Sequence, residues 1–211
     1  KYGYYMTGDP LGKEGDFITA PEISQMFGEL IGLWCATVWH QMGSPKKINL
    51  IEIGPGRGTL MVDALRALVM APEFLAAIDV HLIETSPALK KRQQRNLESL
   101  EAEIYWHESF AGVPEGPFIL VANELLDALP IHQYEKSVAG WGERKVGCND
   151  AGELTWLLDQ NAIVPDAFIP GALADEPPGS IFEFCQSGVY LITNIAESIA
   201  EFGGAALFID Y

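Results

Sequence analysis

The chain has 211 residues, 48% hydrophobic and 20% charged, a mixture that builds a packed core and excludes general disorder. Its 13 Lys and Arg against 29 Asp and Glu leave a formal net charge of −16, which repels a phosphate backbone and sets nucleic acid aside as a partner. There is no apolar run of the roughly 18 residues a membrane span needs, so no membrane insertion is predicted, and no signal-peptide pattern is seen. Cys35, Cys148 and Cys185 are far apart and form no CxxC pair, which fits a reducing compartment better than a disulfide framework or a zinc knuckle. Both ends read as cut. Lys1 opens the chain inside a Tyr- and Gly-rich stretch, and Tyr211 closes it directly after the apolar run Ala205 to Ile209.

In chain order, residues 1–18 read as loop. Thr19, Pro21 and Glu22 then read as a helix start, with Thr19 and Glu22 forming a capping box. Ile23, Phe27, Leu30, Ile31, Trp34 and Val38 have helical spacing and carry that helix to about Met42. Four strands are predicted next, Ile48 to Ile53, Ile78 to Ile83, Ile104 to Trp106 and Phe118 to Ala122. Helices over Thr59 to Met70 and Pro87 to Leu100 separate the first three. Such alternation implies a parallel sheet covered on both faces. From Gln133 to Leu158 the alternation lapses into stretches broken by Gly140, Gly142 and the turn at Asn149 to Gly152, which read as an antiparallel insertion. Residues 161–180 are rich in Pro and Gly and read as an extended connection. A helix over Gly188 to Phe202 and a fifth sheet strand over Ala205 to Ile209 close the chain. The domain division expected is a loop and cap helix over 1–45 and a core over 46–211, with the insertion at about 131–180.

Three stretches carry chemistry. In Glu52-Ile53-Gly54-Pro55-Gly56-Arg57-Gly58-Thr59 an apolar strand enters a glycine turn and a helix leaves it. Glycine admits close backbone approach by a ligand, and the helix start offers free N–H groups. Thr59 stands where dinucleotide enzymes need a small residue, so S-adenosylmethionine, which has no pyrophosphate, suits Glu-x-Gly-x-Gly-x-Gly better. The alternative is an ordinary strand-to-helix turn. Glu84 ends the second strand, where a carboxylate can accept from both ribose hydroxyls; the alternative is a solvated strand end. Asn123 to Pro130 follows the fourth strand, and Glu124 and Asp127, three apart, can face one site if the segment turns. They would hold a cationic group or supply a base; the alternative is helix capping. His40, His81, His107 and His132 show no metal-ligand spacing, so no metal site is expected. Lys90 to Arg95 reads as a solvated helix face.

These stretches, together with Gly15-Asp16-Phe17-Ile18-Thr19-Ala20-Pro21-Glu22-Ile23 and the residues after it to Glu29, resemble the MidA family of S-adenosylmethionine-dependent methyltransferases. That family is related to the arginine methyltransferase that assembles mitochondrial respiratory complex I. The resemblance covers nearly the whole chain. Leu125 and Leu126 depart from it, standing where the family carries an aromatic pair. It implies a class I methyltransferase core, Rossmann-like, that stops after its fifth strand. It also implies S-adenosyl-L-methionine as cofactor and a protein substrate, the 49-kDa-type subunit of complex I. The compartment would be the mitochondrial matrix in a eukaryote and the cytoplasm in a bacterium. Glu52, Gly54, Gly56, Gly58, Glu84, Ser109 and Asn123 are the candidate cofactor residues, with Glu108 and Ser109 near the adenine. Asp16, Glu124 and Asp127 are the candidate catalytic residues. Two other readings stay open: a non-catalytic assembly chaperone on the same fold, and a nicotinamide-dependent oxidoreductase.

Overall fold

A computed structural model describes residues 20–100, 102–159, 164 and 169–210. Thr19, half of the expected capping box, and Asp16 lie outside the described residues. The described residues form two units, one up to Ala128 and again from Leu191, the other Leu129–Tyr190.

The first unit is built on a five-stranded parallel sheet: β1 (Ile48–Ile53), β2 (Ile78–Ile83), β3 (Ile104–His107), β4 (Phe118–Asn123) and β9 (Gly204–Ile209). Their order is β3-β2-β1-β4-β9. The chain therefore winds outward from β1 in both directions, and the switch point lies between β1 and β4. Alternate side chains of each strand serve opposite faces. On one face Ile48, Leu50, Val80, Leu82, Ile119 and Val121 share a core with Cys35, Trp39, Leu60, Met61 and Leu65. On the other, Ile51, Ile53, Ile83, Leu120 and Ala122 pack with Ile195. Those partners come from helices α2 (Gln25–Gln41) and α3 (Thr59–Ala67) on the first face and α6 (Gln186–Phe202) on the second, with α4 (Pro72–Leu75) and α5 (Pro87–Leu97) between α3 and α6 in the chain. Among the described residues, no helix is long and apolar enough to cross a membrane.

The single helix expected up to about Met42 is two: α1 (Ala20–Ile23) and α2, parted at Ser24, whose backbone is extended at φ −146° and ψ 119°. Serine is a favoured helix N-cap, so a break there agrees with its intrinsic preference. The buried line of α2 is Gly28, Gly32, Cys35 and Trp39, not the apolar series that gave the helix its periodicity. A Cβ on Gly32 would stand 2.7 Å from the Ala64 carbonyl oxygen and 2.9 Å from its Cα. One on Gly28 would stand 2.7 Å from the Asp63 Cβ and 2.9 Å from the Leu60 carbonyl oxygen. The two glycines thus let α2 lie directly on the backbone of α3.

The second unit is an antiparallel sheet in the order β7-β6-β5-β8, formed by β5 (His132–Ser137), β6 (Gly140–Cys148), β7 (Leu154–Asp159) and β8 (Ile181–Phe184). The sheet takes in β8, which lies just beyond the 131–180 bounds expected of the insertion. β8 pairs with β5 through His132↔Phe184 to Glu135↔Ile181. A four-residue strand behind the Pro177-Pro178-Gly179 turn is too short to show a period.

Between the strands of the first unit runs a chain of ring hydrogen bonds. Asn49 Nδ2 donates to the Pro114 carbonyl, 2.9 Å, so Asn49 Oδ1 faces His81 Nε2 at 3.2 Å as acceptor. His81 Nε2 then carries the proton, and Nδ1 accepts from His107 Nε2 at 2.9 Å. Burial, and next the neighbouring His107, pulls the His81 imidazole down from 6.5 to about 4, with Asp79 opposing. The folded state therefore favours the neutral ring. The stability this contributes is fully present above pH 6.5 and is lost as pH falls towards 4. Between pH 7 and 4 the unfolding free energy of the wild type should fall by about 2–3 kcal/mol more than that of His81→Gln. Equal losses in the two proteins, followed by denaturant titration, would contradict this account.

Candidate functional site

Parallel register brings the chemistry-bearing strand ends to one place. β1 and β2 pair from Ile48↔Ile78 to Ile53↔Ile83, so Gly54 and Glu84 leave the sheet side by side. The Gly54 N–H donates to the Ile83 carbonyl, 3.1 Å. β4 pairs with β1 on the other side and ends at Asn123. A cavity of about 270 Å³ opens at these ends. Glu52, Gly54, Gly56, Glu84, Asn123, Glu124 and Asp127 all line it.

The glycine turn needs its glycines. Gly54, Gly56 and Gly58 have φ of 68°, 54° and 81°, the left-handed region that side chains disfavour. The turn closes with the Gly58 N–H donating to the Pro55 carbonyl, 2.7 Å, and Gly58 is the N-cap of α3. Gly58 is buried beneath the turn and does not line the cavity. At the end of β4, Glu124 holds φ 50°, rare for a residue with a side chain, while its N–H donates to the Ile209 carbonyl, 2.7 Å. The segment then turns, Ala128 N–H to the Leu125 carbonyl at 3.2 Å, which sets Glu124 and Asp127 on one lining. Ser109 is exposed, N-caps a 3₁₀ turn over Phe110–Gly112 and does not reach this cavity.

Carboxylates dominate the lining. Among the described residues, Glu22, Glu52, Glu84, Glu124 and Asp127 share the lining with one cation, Arg57, which pairs with Glu22 at 3.4 Å. Glu52 is 3% exposed, and its Oε2 is buried without a hydrogen-bond partner among the described residues. Burial, with Glu84 adding repulsion, pushes its carboxyl up to about 8. The Glu84 carboxyl is also raised by burial, against hydrogen bonds from Ser86 N–H, 2.7 Å to Oε1, and Gln93, 3.0 Å to Oε2. Asp127 is raised by burial, then by Asp210 and Glu124. The Asn123 Oδ1 is a second buried acceptor without a partner. Orphaned acceptors beside a cavity suit a ligand that brings donors. A field of this sign attracts a cation and opposes a pyrophosphate. Among the described residues, no group of three His, Cys, Asp or Glu could hold a metal ion.

Sequence reasoning missed Gln93, Glu22 and Arg57 at this site. Glu22 is engaged across the site, accepting from Thr59 Oγ1 at 2.6 Å. Gln93 is fully buried in a helix read as solvated. Its spacing gave a signal, since Leu89, Gln93 and Leu97 fall four apart on the buried line of that helix.

The sequence model of the family described as "Putative S-adenosyl-L-methionine-dependent methyltransferase" matches residues 30–211. The chain belongs to this family. It is similar to the mitochondrial protein arginine methyltransferase NDUFAF7 of Xenopus laevis, at 38% identity over 99% of this chain and 53% of that protein. The human protein of the same name is 36% identical over 99% of this chain and 52% of its own length. The chain thus spans about half the length of the curated relatives it matches. A crystal structure of a Burkholderia thailandensis protein bound to S-adenosyl-homocysteine superposes with a TM-score of 0.73 at 25% identity, over 98% of this chain and 54% of that one. The methyltransferase family membership agrees with the α/β fold, its parallel five-stranded sheet and its antiparallel insertion.

Proposed function

We propose that this chain binds S-adenosyl-L-methionine in the cavity at the β1–β4 switch point and methylates an arginine side chain of a protein. One observation carries the reading most. The lining joins a left-handed glycine turn to five carboxyl groups, one of them with an orphaned oxygen at Glu52, and to the orphaned Asn123 Oδ1. That set fits a ligand bearing an ammonium, a sulfonium and a ribose diol, and it does not fit a dinucleotide pyrophosphate. When bound, S-adenosyl-L-methionine supplies a methyl group on a sulfonium leaving group. The residues of this chain bind and orient. Gly54 and Gly56 give the backbone approach, and Gly58 shapes the turn. Glu84 accepts from the ribose hydroxyls, and Glu52 and Asn123 take the ammonium. Glu124 and Asp127 grip the guanidinium of the acceptor, as paired carboxylates do. Burial raises the Asp127 carboxyl, which favours it as a proton acceptor. Asp16 is assigned to the same acceptor side.

The names of the relatives support an arginine acceptor and, in a eukaryote, a mitochondrial location. The resemblance to the MidA family extends the proposal to the 49-kDa-type subunit of complex I. The test is radiolabelled methyl transfer to that subunit and to cell extract, with the product read by mass spectrometry. Methylarginine is expected, and Asp127→Ala should lower turnover about a hundredfold, as loss of an acid–base group does, with cofactor affinity kept within about twofold. Full turnover in Asp127→Ala would reject that role. No transfer to any protein, with the cofactor bound, would favour an assembly chaperone.

A further inference from the structure

We infer that Gln93 is a positioning residue, one that locks the glycine turn and the Glu84 carboxylate into a single frame without touching the ligand. The inference rests on the cofactor reading of the cavity. Gln93 lies on α5 (Pro87–Leu97) and is fully buried, and it does not line the cavity. Its amide is nevertheless spent on the site. Nε2 donates to the Gly56 carbonyl at 2.7 Å and to Glu84 Oε2 at 3.0 Å, while Oε1 accepts from the Trp106 indole at 3.0 Å. An amide alone has two donors and an acceptor in this layout. Glutamate would set its carboxylate against two acceptors, and leucine would leave all three groups unpaired.

The geometry reaches the cavity through two groups. Peptide planarity means that holding the Gly56 carbonyl towards Gln93 turns the Arg57 N–H the opposite way. Glu84 has one oxygen held by the Ser86 N–H and the other by Gln93, so its plane is fixed. Gln93 also packs beneath the turn, where a Cβ on Gly58 would meet its Cγ at 3.3 Å. The turn, β2 and β3 therefore share one buried side chain.

Calorimetric titration of the protein with S-adenosylhomocysteine tests this, beside thermal melts of each variant. Gln93→Leu should weaken binding about thirtyfold or more, the loss of two hydrogen bonds to groups that hold the site. Gln93→Glu should bind about tenfold weaker than wild type at pH 8.5, and the penalty should shrink to about threefold or less by pH 6, as the introduced carboxyl takes up a proton and regains a donor. A merely structural residue would shift the melting temperature with pH and leave the affinity, read well below the transition, at the wild-type value. Should Gln93→Leu fail to fold, the pH series of Gln93→Glu decides alone. Binding equal to wild type in every variant, or a penalty flat with pH, would overturn the inference while leaving the cofactor reading intact. No binding by the unmutated protein would overturn the cofactor reading first, and this inference with it.

Discussion

Glu84→Ala is expected to weaken S-adenosylhomocysteine binding by a hundredfold or more. Each hydrogen bond from a ribose hydroxyl to a carboxylate contributes about 1.5–3 kcal/mol, and two of them exceed the roughly 2.8 kcal/mol that a hundredfold represents. The strand end is suited to the role. The Ser86 N–H and Gln93 hold one carboxylate oxygen each, which leaves the remaining lone pairs for a ligand. The substitution also leaves those two donors without their acceptor, so the melting temperature should drop by a few degrees. Binding is therefore read well below the transition. Affinity within about threefold of wild type would remove Glu84 from the site.

Gly32→Leu is expected to have the largest effect on the fold. Gly32 meets backbone atoms of Ala64 and not the movable end of a side chain, so α3 can yield only as a whole. Gly28 makes the same approach one turn earlier, against Leu60 and Asp63. Overpacking a well-packed contact costs about 1–3 kcal/mol and more where backbone must shift. At about 3 kcal/mol the melting temperature of a domain of this size falls by roughly 6–12 °C. Loss of the α2–α3 contact would also displace Leu60 and Thr59, which border the cavity. A melting temperature within 2 °C of wild type, about the lower edge of a 1 kcal/mol effect, would show that the helices do not cross as described.

What the sequence made legible was local. Ile48 to Ile53 is an apolar strand pattern, and glycines after such a strand announce a turn that a ligand can approach. Glu84 and Glu124 are legible because they directly follow strand ends, with Asp127 three residues after Glu124, and parallel register does the rest. What stayed hidden depends on contacts between distant residues. Glu22 bonds to Thr59 across 37 positions, and no short-range pattern encodes that. Gln93 looks like another polar residue in a basic helix until Leu89 and Leu97 are seen on the same buried line. Gly28 and Gly32 carry no hydropathy, so the face they define escapes a count of apolar residues, and exposed Ile23 and Leu30 take their place in it. Proximity to a strand end is not enough for Ser109, because β3 ends at His107 and Ser109 caps the turn that follows.

The central claim is that a carboxylate-lined cavity beside a glycine turn is a site for S-adenosyl-L-methionine and not for a nicotinamide dinucleotide. Calorimetric titration of the unmutated protein with S-adenosylhomocysteine, and in a separate run with a nicotinamide dinucleotide, tests it most directly. The account predicts saturable binding of S-adenosylhomocysteine and no heat from the dinucleotide. Silence towards S-adenosylhomocysteine, or tighter binding of the dinucleotide, would contradict it.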